Sequence, residues 1–235
     1  MRISVLVVTS LLAVGCSSTA GPAGESSTVP SASSLSARPS ATSSAPSASG
    51  KPSAVPTGVP APGAEMSAVI GWIEAGTAVD AGGFHTATRE GQANDLGADV
   101  AFVTAGGINC MTDKDFNGAL ACLTHPAAPL PQPADTYGHW VPGWVDFEGM
   151  TAAVGSIHGD PGRFNSGTGP QLKDGQTLAF GEYRCRADGG ALTCVNYAHQ
   201  TGLRLSDAGV VPFGCLKPVT PPAEGFGQQF GCKEA

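Results

Sequence analysis

The chain has 235 residues, a formal charge of −7 and only 13% charged residues. From residue 64 onward, nine Lys and Arg face eighteen Asp and Glu, a formal charge of −9. That balance argues against nucleic acid, because neutralising phosphates requires clustered cations. It also disfavours flat adsorption onto anionic lipid.

Met1 and Arg2 precede an almost wholly apolar stretch, Ile3 to Val14, which reads as a secretory signal segment over residues 1–15. About a dozen apolar residues are too few to cross a bilayer, which needs ~20. The segment ends in Leu12-Ala13-Val14-Gly15-Cys16, which resembles the bacterial lipobox. In proteins carrying that motif the matching cysteine receives a diacylglyceryl thioether and becomes the new amino terminus. The resemblance therefore implies lipid attachment at Cys16. One acyl chain anchors only marginally, at roughly 0.8 kcal/mol per buried methylene, whereas two or three hold stably.

Residues 16–63 are mostly Ser, Ala, Pro, Thr and Gly, with three charges (Glu25, Arg38, Lys51) and no aromatic residue. Such a segment cannot bury enough apolar surface to offset the entropy of ordering it, so it is expected to be a disordered tether. Its reach is on the order of 40 Å as a coil, approaching ~145 Å if its prolines impose polyproline II. Its Ser/Thr- and Pro-rich composition also suits O-glycosylation.

Residues 64–235 suit one domain with a sizeable core. Met66, Val69, Ile70 and Ile73 fall at helical spacing, with Gly76 as a stop. The runs 100–104, 144–157, 177–186, 191–198, 203–205 and 210–213 are short, apolar and bounded by turn residues, which is how strands read. The fold class expected is mainly β, with disulfide-stapled hairpins and one or two short helices at its start.

The pentapeptides Gly118-Ala-Leu-Ala-Cys122 and Gly190-Ala-Leu-Thr-Cys194 nearly repeat, and each follows another cysteine, Cys110 and Cys185. A two-residue Gly189-Gly190 loop predicts a hairpin in which Cys185 faces Cys194. Such a pair in a non-hydrogen-bonded position puts its Cα atoms ~4.5 Å apart. Cys110 and Cys122 come into register if about five residues turn the corner, and Cys215 and Cys232 then pair by elimination among the 15 connectivities six cysteines allow. A true internal duplication is the second reading of the repeat.

Ser156-Ile-His-Gly-Asp160 collects three residue types used in catalysis. Alternate residues of a strand share a face, but neighbours ~6 to 7 Å apart do not readily converge. The competing reading is a strand end followed by a Gly159-Asp160-Pro161-Gly162 turn. Tyr137, Trp140 and Trp144 surround His139 and offer either a ring-stacking surface for a glycan or anchors of a small β core. The segment from Pro126 to Pro133 reads as a stiff polyproline-like connector or a protein ligand. His85, His125 and His199 are scattered, and neither C-x-x-C nor zinc spacing occurs, so no metal or cofactor is expected.

Signal, lipobox and tether, together with Val100-Ala-Phe-Val-Thr104, Gly107-Ile-Asn-Cys110, Tyr183-Arg-Cys185, Leu192-Thr-Cys-Val-Asn196 and Thr201-Gly-Leu-Arg-Leu205, resemble the cell-envelope lipoproteins of mycobacteria and related actinobacteria, among them LppI-type proteins. The resemblance implies a lipid-anchored, extracytoplasmic protein with a non-catalytic binding or interaction domain, its partners being the membrane through Cys16 and an envelope protein or glycan. The alternatives read from the residues are a small hydrolase using His158 and Asp160, or a glycan-binding module using Trp140 and Trp144.

Overall fold

The computed structural model describes residues 58–134 and 136–233. The signal segment, Cys16 and nearly all of the expected tether lie outside the described residues. Pro60 is already buried, so packing begins slightly before residue 64.

Among the described residues there is one α-helix, α1 (Met66–Glu74), which buries Val69, Trp72 and Ile73. The first strands are β1 (Thr77–Val79), then the polar hairpin β2 (Thr86–Arg89) and β3 (Gln92–Asp95). A five-stranded meander follows: β4 (Ala101–Thr104), β5 (Asn109–Asp113), β6 (Ala119–Leu123), β7 (Trp140–Phe147) and β8 (Thr151–Ile157). After β9 (Gln171–Leu172), a second meander runs through β10 (Gln176–Phe180), β11 (Tyr183–Asp188), β12 (Ala191–Asn196), β13 (Thr201–Ser206) and β14 (Gly209–Phe213). The short pair β15 (Lys217–Pro218) and β16 (Gln228–Gly231) completes the order.

Each meander forms its own sheet, and the leading strands are exchanged. β9 pairs in parallel with β4, although it immediately precedes the second meander; β1 pairs in parallel with β10, although it precedes the first. The sheets therefore read β9-β4-β5-β6-β7-β8 and β1-β10-β11-β12-β13-β14, with β16 and β15 added beyond β8. The repeated pentapeptides occupy the third strand of each meander, so they mark topologically equivalent hairpins. Two outer strands, β14 and β15, carry Pro212 and Pro218, residues that blunt an exposed sheet edge.

The two sheets pack face to face. Phe102, Cys110, Leu120, Cys122, Phe147 and Val154 of one meet Leu178, Cys185, Leu192, Cys194, Leu203 and Leu205 of the other in one buried cluster. Buried hydrogen bonds join the sheets: the Tyr183 hydroxyl donates to Phe147 O at 2.6 Å, and Thr201 Oγ1 to Gly149 O at 2.7 Å. Because strand side chains alternate, each sheet also has an outer face. On one, α1 packs Val69, Trp72 and Ile73 against Val195 and Phe213, and the Arg186 guanidinium lies 4.2 Å over the Trp72 ring. On the other, Ala101, Met111, Ala121 and Trp144 are covered by Ala87 of β2 and Phe164.

The β11–β12 register is the one expected, with Cys185 opposite Cys194 and both loop glycines at positive φ, 57° and 79°. Residues 114–118 turn the β5–β6 corner, leaving Cys110 opposite Cys122. Disulfides join Cys110 to Cys122 and Cys185 to Cys194, each with Cα atoms 4.0 Å apart, and Cys215 to Cys232 at 5.0 Å. The first two lie inside the core, whereas Cys215 is exposed and Cys232 half-buried.

Two expected strands are hairpins instead. The run 144–157 turns at Glu148–Met150, where Gly149 has φ 91°, and 177–186 turns at Gly181, where φ is 45°. Apolar content on both sides concealed these turns.

Candidate functional site

The side chains with most chemical potential gather on the outer face of the first sheet, at the β7–β8 hairpin. The register between those strands shifts between Val141 and Val145, and Gly155 opposite the shift has φ 71°. A Cβ at Gly155 would stand 2.7 Å from the Trp140 ring, so this position requires glycine on both counts. The bulge resets side-chain alternation. Ala152 and Val154 point into the intersheet core, yet Ser156 reaches a histidine on the opposite face.

Ser156 Oγ and His158 Nε2 lie 2.7 Å apart. The sequence expectation that two such neighbours stay separate is corrected here. His158 has left the strand, its backbone N–H donates to His139 O at 3.0 Å, and its ring folds back over the bulge. That ring stacks on Trp144 with centroids 3.4 Å apart and 22° between planes, while Phe164 meets the same indole edge-on. Trp144 Nε1 donates to Asp146 Oδ2 at 2.9 Å. Asp160 does not join the pair: its Oδ1 accepts from Gly162 N at 2.8 Å, closing the turn.

Burial sets the protonation of this cluster. It pushes His158 below the ordinary histidine value, and Arg163 and His139 act in the same direction against Asp146 and Asp160. Burial raises the Asp146 carboxyl, opposed by the indole N–H and by Arg163. Arg163 is itself fixed by donating to Ala119 O at 2.7 Å. At neutral pH the imidazole is therefore uncharged, and in its Nδ1–H tautomer the Ser156 hydroxyl donates to Nε2. Near the pair, though lined by neither Ser156 nor His158, is a depression of about 380 Å³ bounded by Leu123, His139, Val141, Trp144, Gly159, Asp160 and Pro161; Ser156 itself is buried.

The three aromatic residues singled out from the sequence do not form one surface. Tyr137 is 90% exposed and Trp144 only 4%, and Trp140 is half-buried, with its indole N–H donating to Leu130 O at 2.9 Å. That bond makes the proline-rich segment a packed connector at Leu130. Asp146 and Arg163 escaped the sequence reading; the only signal was the Trp144-x-Asp146 spacing, which puts both on one strand face. The remaining histidines stand apart, His85 bonding through Nδ1 to Asp99 O at 2.8 Å. Among the described residues no three His, Cys, Asp or Glu side chains are grouped to hold a metal ion.

Two other clefts occupy the ends of the sandwich. One, of about 390 Å³, lies where Gly106 meets Gly190 and includes His125 and Arg204. The other, of about 560 Å³, is rimmed by Asp115, Glu148 and Glu182 beside the exposed Phe116.

Neither protein-family models, curated proteins nor solved structures include a match to this chain.

Proposed function

We propose that this chain is an exported lipoprotein, anchored to the membrane by acylated Cys16, that presents its β-sandwich on the extracytoplasmic side as a binding domain for an envelope component. The observation carrying the reading is that two cystines, Cys110–Cys122 and Cys185–Cys194, are built into the buried core. A domain whose interior is made of disulfides belongs in an oxidising compartment. The lipobox-like Leu12 to Cys16, and its place at an abrupt change of composition, supply the anchor. The resemblance to actinobacterial cell-envelope lipoproteins supports the same reading, and the domain's formal charge of −9 favours a position held off an anionic surface by the tether.

The test is metabolic labelling with an alkynyl fatty acid in an actinobacterial host, followed by detergent-phase partitioning. The full chain should carry the label and enter the detergent phase, and Cys16→Ala should do neither. A wild-type chain recovered unlabelled, with Met1 still in place, would refute the anchor.

A further inference from the structure

We propose that Ser156 and His158 form a nucleophile and base pair that takes acyl groups from esters bearing a short apolar acyl or aryl substituent. This activity goes beyond anchoring and binding, and it departs from the expectation of a domain without catalysis.

Three observations carry it. The first is the contact itself: a serine hydroxyl 2.7 Å from an imidazole nitrogen is the arrangement that activates an otherwise weak nucleophile. The second is preorganisation. The imidazole lies against the Trp144 ring at 3.4 Å, the His158 backbone N–H donates to His139 O, and Ser156 is held in β8 next to Gly155, which faces the bulge in β7. Neither group has to be ordered when a substrate arrives. The third is the adjoining space. The depression is walled by Leu123, Val141, Trp144 and Pro161, and Val141 is the cross-strand neighbour of Ser156. An apolar acyl or aryl group would rest on these side chains; because Ser156 is buried and does not itself line the depression, the carbonyl carbon reaches Oγ only on local opening of this wall, and a polyol would lose hydrogen bonds there.

The chemistry balances with water as the only co-reactant. Ser156 Oγ attacks the ester carbonyl carbon while its proton passes to His158 Nε2. The carbon–oxygen bond to the leaving group then breaks, the proton leaves with the alcohol, and an acyl-serine remains. Water repeats the sequence from the other side, yielding acid and free serine. No group is oxidised or reduced. The charged and titratable groups that act on the imidazole are Asp146, Arg163, Asp160 and His139. The buried carboxyl, Asp146, is engaged by the Trp144 indole rather than by the imidazole, so the imidazolium formed during transfer lacks the carboxylate partner found in a complete triad. That lack slows both steps; with an activated leaving group such as p-nitrophenolate, which departs without needing the imidazolium proton, deacylation is the slower one and the acyl-serine should accumulate.

The full chain is treated with an alkyl fluorophosphonate and, separately, with p-nitrophenyl butyrate, and the modified residue is located by peptide mass spectrometry. The expected result is an adduct on Ser156, a burst of p-nitrophenol, and loss of both in Ser156→Ala. His158→Gln should slow labelling by about 100-fold or more, with near-ultraviolet circular dichroism reporting whether the fold is retained. Should that variant unfold, the wild-type pH profile decides: labelling must fall on acidification through one ionisation below the ordinary histidine value of ~6.5. Absence of any Ser156 adduct on the folded chain would overturn the proposal. So would equal labelling of folded His158→Gln, or labelling that stays flat on acidification over the whole range in which the fold persists. A fluorophosphonate adduct on Ser156 without p-nitrophenyl butyrate turnover would overturn the assignment of apolar esters. Acylation at Cys16 is read on a different peptide, so failure here leaves the anchor's own test intact.

Discussion

Removal of the three disulfides in turn separates loop entropy from core packing. If a bridge acts only by restricting the unfolded chain, its worth rises with loop length. On that basis Cys185–Cys194, nine residues apart, contributes about 2.6 kcal/mol, Cys110–Cys122, twelve apart, about 2.8, and Cys215–Cys232, seventeen apart, about 3.1. Burial reverses the order. Cys185 and Cys194 are 0% and 1% exposed, so replacing both by alanine also strips two methylene-sized atoms from a packed core, adding about 1.6 kcal/mol before any cavity term. Cys185→Ala/Cys194→Ala should therefore cost about 4 kcal/mol, against about 3 for Cys215→Ala/Cys232→Ala, where Cys215 is exposed and Cys232 only half-buried. Urea unfolding of the full chain measures both, provided each is extrapolated to water, since losing a bridge also changes the m-value. A larger loss from the surface bridge would refute the argument that the core cystines act as packing. Mild reductant without denaturant should open Cys215–Cys232 first, leaving the other two protected.

Three further outcomes follow from single contacts. A Cβ at Gly106 would stand 2.1 Å from Gly190 O on the facing sheet, so Gly106→Ala should cost about 1 to 3 kcal/mol. Gly159→Ala, with nothing within 4 Å, should stay within about 0.5 kcal/mol, and comparable thermal midpoints for the two would contradict the close approach. Tyr183→Phe removes the buried hydrogen bond to the Phe147 carbonyl and should cost about 0.5 to 1.5 kcal/mol by urea titration; an unchanged midpoint would mean the hydroxyl does not tie the sheets. Asp146 has its folded pKa raised by burial, so its favourable contribution is present below the unfolded value of ~3.9 and lost as pH rises through the folded value. Asp146→Asn keeps an acceptor for the Trp144 indole and should raise the thermal midpoint at pH 7, an advantage that disappears in acid. His158 runs the opposite way: its lowered pKa gives a contribution present above ~6.5 and lost as pH falls through the folded value. A pH-independent Asp146→Asn effect would show that the buried carboxylate carries no such cost.

What was legible in the sequence was local. The Gly189-Gly190 loop dictates the face-to-face position of Cys185 and Cys194 because a two-residue hairpin leaves one register, and five loop residues do the same for Cys110 and Cys122. The helical spacing of Met66, Val69 and Ile73 likewise needs only its own turn-by-turn geometry. Turns hidden inside apolar runs, at Gly149 and Gly181, were not legible, since hydrophobic pattern cannot distinguish one long strand from two joined by a tight loop.

Everything that depends on partners distant in the chain was decided by the tertiary structure. Pairing β1 with β10 and β9 with β4 joins residues far apart in sequence, and no local signal names a strand's parallel neighbour. The same holds for β16 joining β8, and for the burial of two cystines between sheets that neither hairpin forms alone. At the candidate site, composition supplied Ser156, His158 and Trp144. Their meeting required a φ of 71° at Gly155 and a register shift opposite it, because a regular strand would have kept serine and histidine a full residue pair apart.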